Sequence, residues 1–156
     1  MKEVVWKFTN QQELDSAGFV RYFEKKVRKT VGKYHMPTSP LKKGGLKAEV
    51  INSLLKNIPL REGGVSDVSL DDVSVAVLYE VMYGVFKVEK FLPKNQPLYF
   101  LSDKEIELYA KIKGIKGKLK KRGGKLGEVD DFIKKIELKN PDIRHNIINS
   151  LLNQKM

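Results

Sequence analysis

Apolar residues recur along this chain at intervals of three and four, the spacing that puts side chains on one face of an α-helix. The clearest case lies in residues 13–35. At about 100° per residue, Phe19, Val20, Phe23, Val27, Thr30, Val31 and Tyr34 share one arc of about 120°, and Arg21, Lys25, Arg28, Lys29 and Lys33 lie opposite. Residues 46–57 repeat the pattern with Val50, Ile51, Leu54 and Leu55. Later helices are predicted from Ile106, Leu108, Tyr109 and Ile112, then Val129, Phe132, Ile133 and Ile136, and finally Ile143, Ile147, Ile148, Leu151 and Leu152.

One stretch breaks the two-faced rule. Residues 67–84 read DVSLDDVSVAVLYEVMYG, and Val73, Val75, Ala76, Val77, Leu78, Val81 and Met82 leave little polar face. Such a helix suits the centre of a domain. Its start is marked locally: Ser69 can cap free N–H groups, with Asp72 three residues on in a short version of the capping box. Asp71 and Asp72 also put negative charge at the positive end of the helix dipole. Ser102 and Glu105 repeat the box, and Gly114 marks a helix end.

Between helices the chain is punctuated. Residues 35–45 (HMPTSPLKKGG) form a breaker-rich linker, and residues 59–66 turn through Gly63-Gly64. Gly44-Gly45 is not a phosphate loop, since no strand precedes it and no G-K-[ST] ending follows. Strand is sparse: residues 4–8 (VVWKF) are a short strand or extended arm, and Tyr99 and Phe100 a second short strand. The pattern predicts a single mainly α domain over 1–156, a compact bundle of about six helices with little strand. Its parts are a basic N-terminal helix 13–35, a linker 36–45, a helical core 46–112, a basic loop 113–125 and a C-terminal helical pair 126–154.

Composition narrows the chemistry. The chain has 156 residues, 41% of them hydrophobic, and no cysteine. Disulfides, thiolate zinc sites, iron–sulfur ligation and thiol nucleophiles are excluded together. His35 and His145 are the two histidines, so a histidine-rich metal site is excluded as well. No apolar run reaches membrane-span length and no signal-peptide core opens the chain, so a cytoplasmic location without membrane attachment is expected.

Charge changes the picture most. Thirty Lys and Arg stand against nineteen Asp and Glu, for a net +11. A polyanionic partner is expected, RNA first. Residues 113–125 (KGIKGKLKKRGGK) carry Lys116, Lys118, Lys120, Lys121, Arg122 and Lys125 among glycines, with no acid. Read as a peptide, that segment is a flexible, strongly positive loop. The residues expected to contact RNA are therefore Arg21, Lys25, Arg28, Lys29 and Lys33, the six named loop residues, and Arg144. A solvated lysine face is the competing reading for the first helix.

Other chemistry is weaker. Asp71-Asp72 fits dipole partners better than a metal site. Glu105 and Glu107, two apart on a helix, point in different directions. His145 fits a surface or RNA-contact residue better than a general base. Trp6, Phe8 and Tyr99 could stack on unpaired bases, though core positions are the commoner use of such aromatics. No catalytic, cofactor-binding or metal-binding residue is assigned.

Several stretches, in order, resemble the archaeal branch of the PP-loop tRNA-thiolation enzymes, the ATP-dependent tRNA sulfurtransferases. Residues 19–34 (FVRYFEKKVRKTVGKY) are similar to the basic helix before that family's nucleotide-binding core. Leu70-Asp71-Asp72-Val73 resembles its G-H-N-x-D-D helix. Pro97-Leu98 with residues 102–114 resembles the segment ending in E-x-E-x-x-x-Y-A, and residues 128–152 resemble the C-terminal helical pair. Together these cover more than half of the chain. The S-G-G-x-D-S pyrophosphate loop is absent, only a short stretch stands between Lys43 and Ser66 in place of most of the α/β core, and Asp67, Val68 and Ser69 stand where the family has Gly-His-Asn. Lysines replace Cys-Pro-Tyr near residues 116–120, and the catalytic cysteines and zinc-binding cysteine pairs are missing.

The resemblance implies a degenerate, truncated relative, a remnant of a PP-loop α/β fold that keeps an RNA habit without the ancestral reaction. The leading expectation is a non-catalytic RNA-binding protein for structured RNA, either rRNA or tRNA. The basic loop tilts this towards a ribosome-associated or other ribonucleoprotein component, with ribosomal proteins as further candidate partners and no DNA preference. Two alternatives stay open: an accessory tRNA-binding subunit or paralogue in PP-loop tRNA thiolation, and a protein–protein interaction module.

Overall fold

A computed structural model describes residues 3–34, 45–55, 67–84, 86–93 and 96–153. Residues 36–44 of the expected linker 36–45, the turn at 59–66 and the end of the second helix at 56–57 lie outside the described residues. Among the described residues six α-helices dominate, with one antiparallel pair of two-residue strands. The mainly α architecture expected from apolar spacing is the one observed.

The chain opens with β1 (Trp6–Lys7) and β2 (Glu13–Leu14), with Trp6 opposite Leu14. Helix α1 (Ser16–Lys33) follows, its first turn capped by Asp15, whose carboxylate accepts from the Gly18 amide at 2.7 Å. Phe19, Phe23, Val27 and Thr30, spaced four, four and three apart, are its buried stripe. That stripe packs on α2 (Leu46–Leu55) and α4 (Asp103–Lys113). Phe23 stacks on Tyr109 with centroids 4.2 Å apart, and Val50, Ile51, Leu98, Leu101 and Ile106 complete this first core. Each of these large side chains stabilises the fold by about 1.5–3 kcal/mol through burial.

A second layer is built on α3 (Leu70–Tyr83), α5 (Gly124–Glu137) and α6 (Ile143–Asn153). Leu70, Val73 and Val77 meet Ile148 and Leu151, and Val75 meets Val129 and Ile133. The capping box of Ser69 and Asp72 is formed, as is that of Ser102 and Glu105, and Gly114 closes α4 in the left-handed conformation at φ 70°. The apolar character of α3 does not all translate into burial. Its first two turns are enclosed, but Val81 is 58% exposed and Met82 and Tyr83 half exposed in the last turn.

Residues 97–100 join the layers and form a turn, so Tyr99 and Phe100 are not the short strand expected of them. Leu98 enters the first core while Tyr99 enters the second, its hydroxyl donating to the Phe91 carbonyl at 2.7 Å. Tyr99 is fully buried and presents no ring to an unpaired base. The Leu70 amide donates to the Leu101 carbonyl at 2.9 Å, fixing the start of α3 against the start of α4. No helix among the described residues is long and apolar enough to cross a membrane.

Candidate nucleic-acid interface

The buried stripe of α1 dictates what its other side presents. With Phe19, Phe23 and Val27 inward, Arg21, Lys25, Arg28, Lys29 and Lys33 all stand in solvent. Their charge is almost unopposed. Arg28 lies 3.9 Å from Glu24, and among the described residues Arg21, Lys25, Lys29 and Lys33 have no acidic partner. A basic row with one carboxylate beside it keeps most of its field for an outside anion.

The segment at residues 114–123 is more ordered than its composition suggests. The Ile115 amide donates to the Ala110 carbonyl at 2.8 Å, and the Leu46 amide to the Lys118 carbonyl at 3.4 Å. Ile115 and Leu119 pack against the first core. Gly117 runs so close to α2 that a Cβ there would lie 3.2 Å from the Leu46 Cα, and its φ of 149° suits glycine alone. With those residues turned inward, Lys116, Lys118, Lys120 and Lys121 are displayed outward, as is Lys125 at the start of α5.

Arg122 behaves differently. Its guanidinium donates to Asp72, to Asp103 at 3.1 Å and to Asp130 at 3.3 Å, so it draws together α3, α4 and α5. Lys47 of α2 bridges Asp72 at 2.8 Å and Asp103 at 2.9 Å. Arg144 of α6, only 3% exposed, donates to Asp130 at 2.8 Å, Glu137 at 2.9 Å and Ser74 at 3.1 Å, with Asp71 at 3.7 Å. The two helical layers are thus tied through one network of charges where α3 and α4 begin. Arg144 is removed from the expected RNA-contact surface, because its donors are committed inside the protein. Arg122 is likewise an anchor of the basic segment rather than part of its outward charge.

Local electrostatics follow from this packing. Burial pushes the Asp71 carboxyl up to about 6, with the Asp103 charge adding and Arg144 opposing. Burial acts the same way on Asp72, but Lys47 and Arg122 outweigh it and hold that carboxyl below the usual range. Asp130 is also held low, since the Arg144 hydrogen bond and Arg122 overcome its desolvation. Asp71 and Asp72, legible as helix-start residues, are therefore also the acidic centre of an ionic network. Among the described residues no group of three or more His, Asp or Glu side chains is placed to hold a metal ion. His145 is half-buried, and burial, with Lys26 nearby, keeps its pKa low.

Aromatic residues near α1 serve mostly as packing. Trp6 sits 5.5 Å from Phe19, and Phe8 meets Tyr22 edge-on at 5.1 Å. Tyr34 and Phe100, by contrast, form a half-exposed stacked pair, 6.2 Å between centroids, at the C-terminal end of the basic face. That pair was not legible in the sequence, because its members are far apart and Phe100 reads as strand.

No protein-family model matches the chain, and no curated protein matches it in sequence. Among solved structures it is similar to the U34-tRNA thiolase NcsA from Methanococcus maripaludis, determined with its [4Fe-4S] cluster. The TM-score is 0.73 at 16% identity, over 98% of this chain and 84% of that one. At that identity the likeness is one of fold: the chain is folded like a tRNA thiolase.

Proposed function

We propose that this chain is a non-catalytic RNA-binding protein that lays the exposed face of α1 and the outward lysines of residues 116–125 on the backbone of a structured RNA. The observation that carries this reading is the basic row of α1, Lys25, Lys29 and Lys33 with Arg21 and Arg28 beside them, on the exposed face of a helix whose other face is buried. Phosphates are what such a row recognises, with position set by charge rather than by base identity.

The fold likeness makes tRNA the favoured RNA over rRNA, since the similar structure is that of a tRNA thiolase. It also supports the accessory reading, in which the chain holds tRNA for a separate thiolation enzyme. The chain's own donor set argues against the chemistry itself. Without a cysteine it supplies neither a thiolate nucleophile nor the thiolates that usually hold an iron–sulfur cluster.

Two measurements test the proposal. Binding of purified protein to a folded tRNA should be tight at about 50 mM salt and weaken by about a thousandfold or more at 200 mM, as expected for six or more phosphate contacts. Binding that barely changes across this range would contradict it. Incubation with ATP and tRNA should yield neither adenylated nor thiolated product, and either product would overturn the non-catalytic assignment. Capture from native lysate separates the partners: a thiolation enzyme supports the accessory role, and ribosomal subunits the ribonucleoprotein role.

A further inference from the structure

An open pocket of about 410 Å³ runs along α1 from Tyr22 to Tyr34, with Phe100 beside it. Its walls combine two chemistries. Lys25, Lys26, Lys29 and Lys33 contribute ammonium groups, and Tyr22, Tyr34 and Phe100 contribute aromatic surface. Among the described residues no acidic side chain lines it. Tyr34 and Phe100 stack at an interplanar angle of 25°, and the Phe100 ring is braced edge-on by the buried Tyr99 at 4.9 Å. Tyr22 is held as firmly, its hydroxyl donating to Glu105 at 2.5 Å and accepting from Lys26 at 3.1 Å. The rings are thus braced by other groups, while Lys25, Lys29 and Lys33 are exposed, with the Lys33 ammonium 5.5 Å from the Tyr34 ring centroid.

We propose that this cavity is a pocket for a single unpaired nucleotide, with the base against the Tyr34–Phe100 wall and the phosphate among Lys25, Lys29 and Lys33. A phosphate alone has no use for the ring wall, and an apolar ligand none for the lysines. A nucleotide uses both within one unit, and the cavity lies in the size range of small-ligand pockets. The inference rests on the RNA-binding reading and deepens it: the backbone row of α1 would end in a place for an extruded or single-stranded residue. A free mononucleotide carries the same chemistry and is the other possible source.

The test compares a blunt RNA hairpin with the same hairpin carrying a four-nucleotide single-stranded extension, by fluorescence anisotropy. Adenosine 5′-monophosphate and ribose 5-phosphate are titrated separately by calorimetry. Phe100→Leu and Tyr34→Leu keep apolar volume while removing the stacking surface, and unchanged thermal melting confirms that each variant folds. The extended hairpin should bind about tenfold more tightly than the blunt one, and both variants should abolish that advantage while leaving blunt-hairpin affinity unchanged. Equal hairpin affinities with nucleotide binding that needs Phe100 and is absent for ribose 5-phosphate would support the pocket with a free nucleotide as its source. Equal hairpin affinities without nucleotide binding would overturn the pocket and leave the RNA-binding reading standing. Failure of hairpins and nucleotide alike would overturn both.

Discussion

Arg122 and Arg144 show how much a basic residue's role depends on what surrounds it. Both belong by composition to the positive charge expected to meet RNA, yet each donates to several carboxylates within the protein. Nothing local in the sequence distinguishes Arg122 from its lysine neighbours, because its partners Asp72 and Asp103 are contributed by other elements. Removing such a partner strands charge in a desolvated site. Arg122→Met should therefore destabilise the protein by about 3 kcal/mol in urea unfolding, more than Arg122→Lys, which keeps the charge but loses the fork. Lys120→Met, at an exposed neighbour, should stay within about 0.5 kcal/mol. The carboxylates add a pH signature. Asp72 and Asp130, with folded pKa values below their unfolded ones, contribute stability that is present above about pH 4 and lost as pH falls through the lower folded values. Asp71 acts in the opposite sense. Its folded pKa near 6 exceeds the ordinary 3.8, so the native state holds the proton longer and stability declines as pH rises between those values. Asp71→Asn should remove that decline, measured as unfolding free energy from pH 4 to 7; a profile unchanged from wild type would refute the assignment.

At the scale of elements, helix starts were readable and the path of the basic segment was not. The capping boxes at Ser69 and Ser102 are local devices, set by residues three apart, so both appear in the sequence as they do in the fold. The helical stripe of α1 is equally local. The segment at residues 114–123 reads as a floppy lysine loop, because the groups that order it are remote: Leu46 of α2, the apolar core beneath Ile115 and Leu119, and the acids around Arg122. Tyr99 and Phe100 read as strand for a related reason. Tyr and Phe favour strands statistically, yet here they send side chains into two different cores from a turn. Gly117 offers the cleanest test of segment order. Gly117→Ala would force a Cβ against Leu46 at an unfavourable φ, so it should cost about 1–3 kcal/mol and speed hydrogen exchange at the Leu46 amide. A variant as stable and as protected as wild type would mean that the segment is not pinned to α2.

For the molecule as a whole, the number and class of helices were legible from apolar spacing, but their grouping into two layers was not. The layers, α1–α2–α4 and α3–α5–α6, are joined by the ionic network and the turn at residues 97–100, features built from contacts distant in sequence. The arrangement leaves the basic side of α1 uncovered while tying Arg122 and Arg144 inside, which separates charges that hold the fold from charges free to meet a partner. RNA binding through the free set is the central claim, and the salt dependence of binding measures it most directly. Each phosphate contact contributes about 0.9 to the slope of log K against log salt. Replacing Lys25, Lys29 and Lys33 with Gln should make the slope for tRNA binding shallower by about three units, with thermal stability unchanged. A slope identical to that of the wild-type protein would contradict the claim that this face of α1 binds RNA.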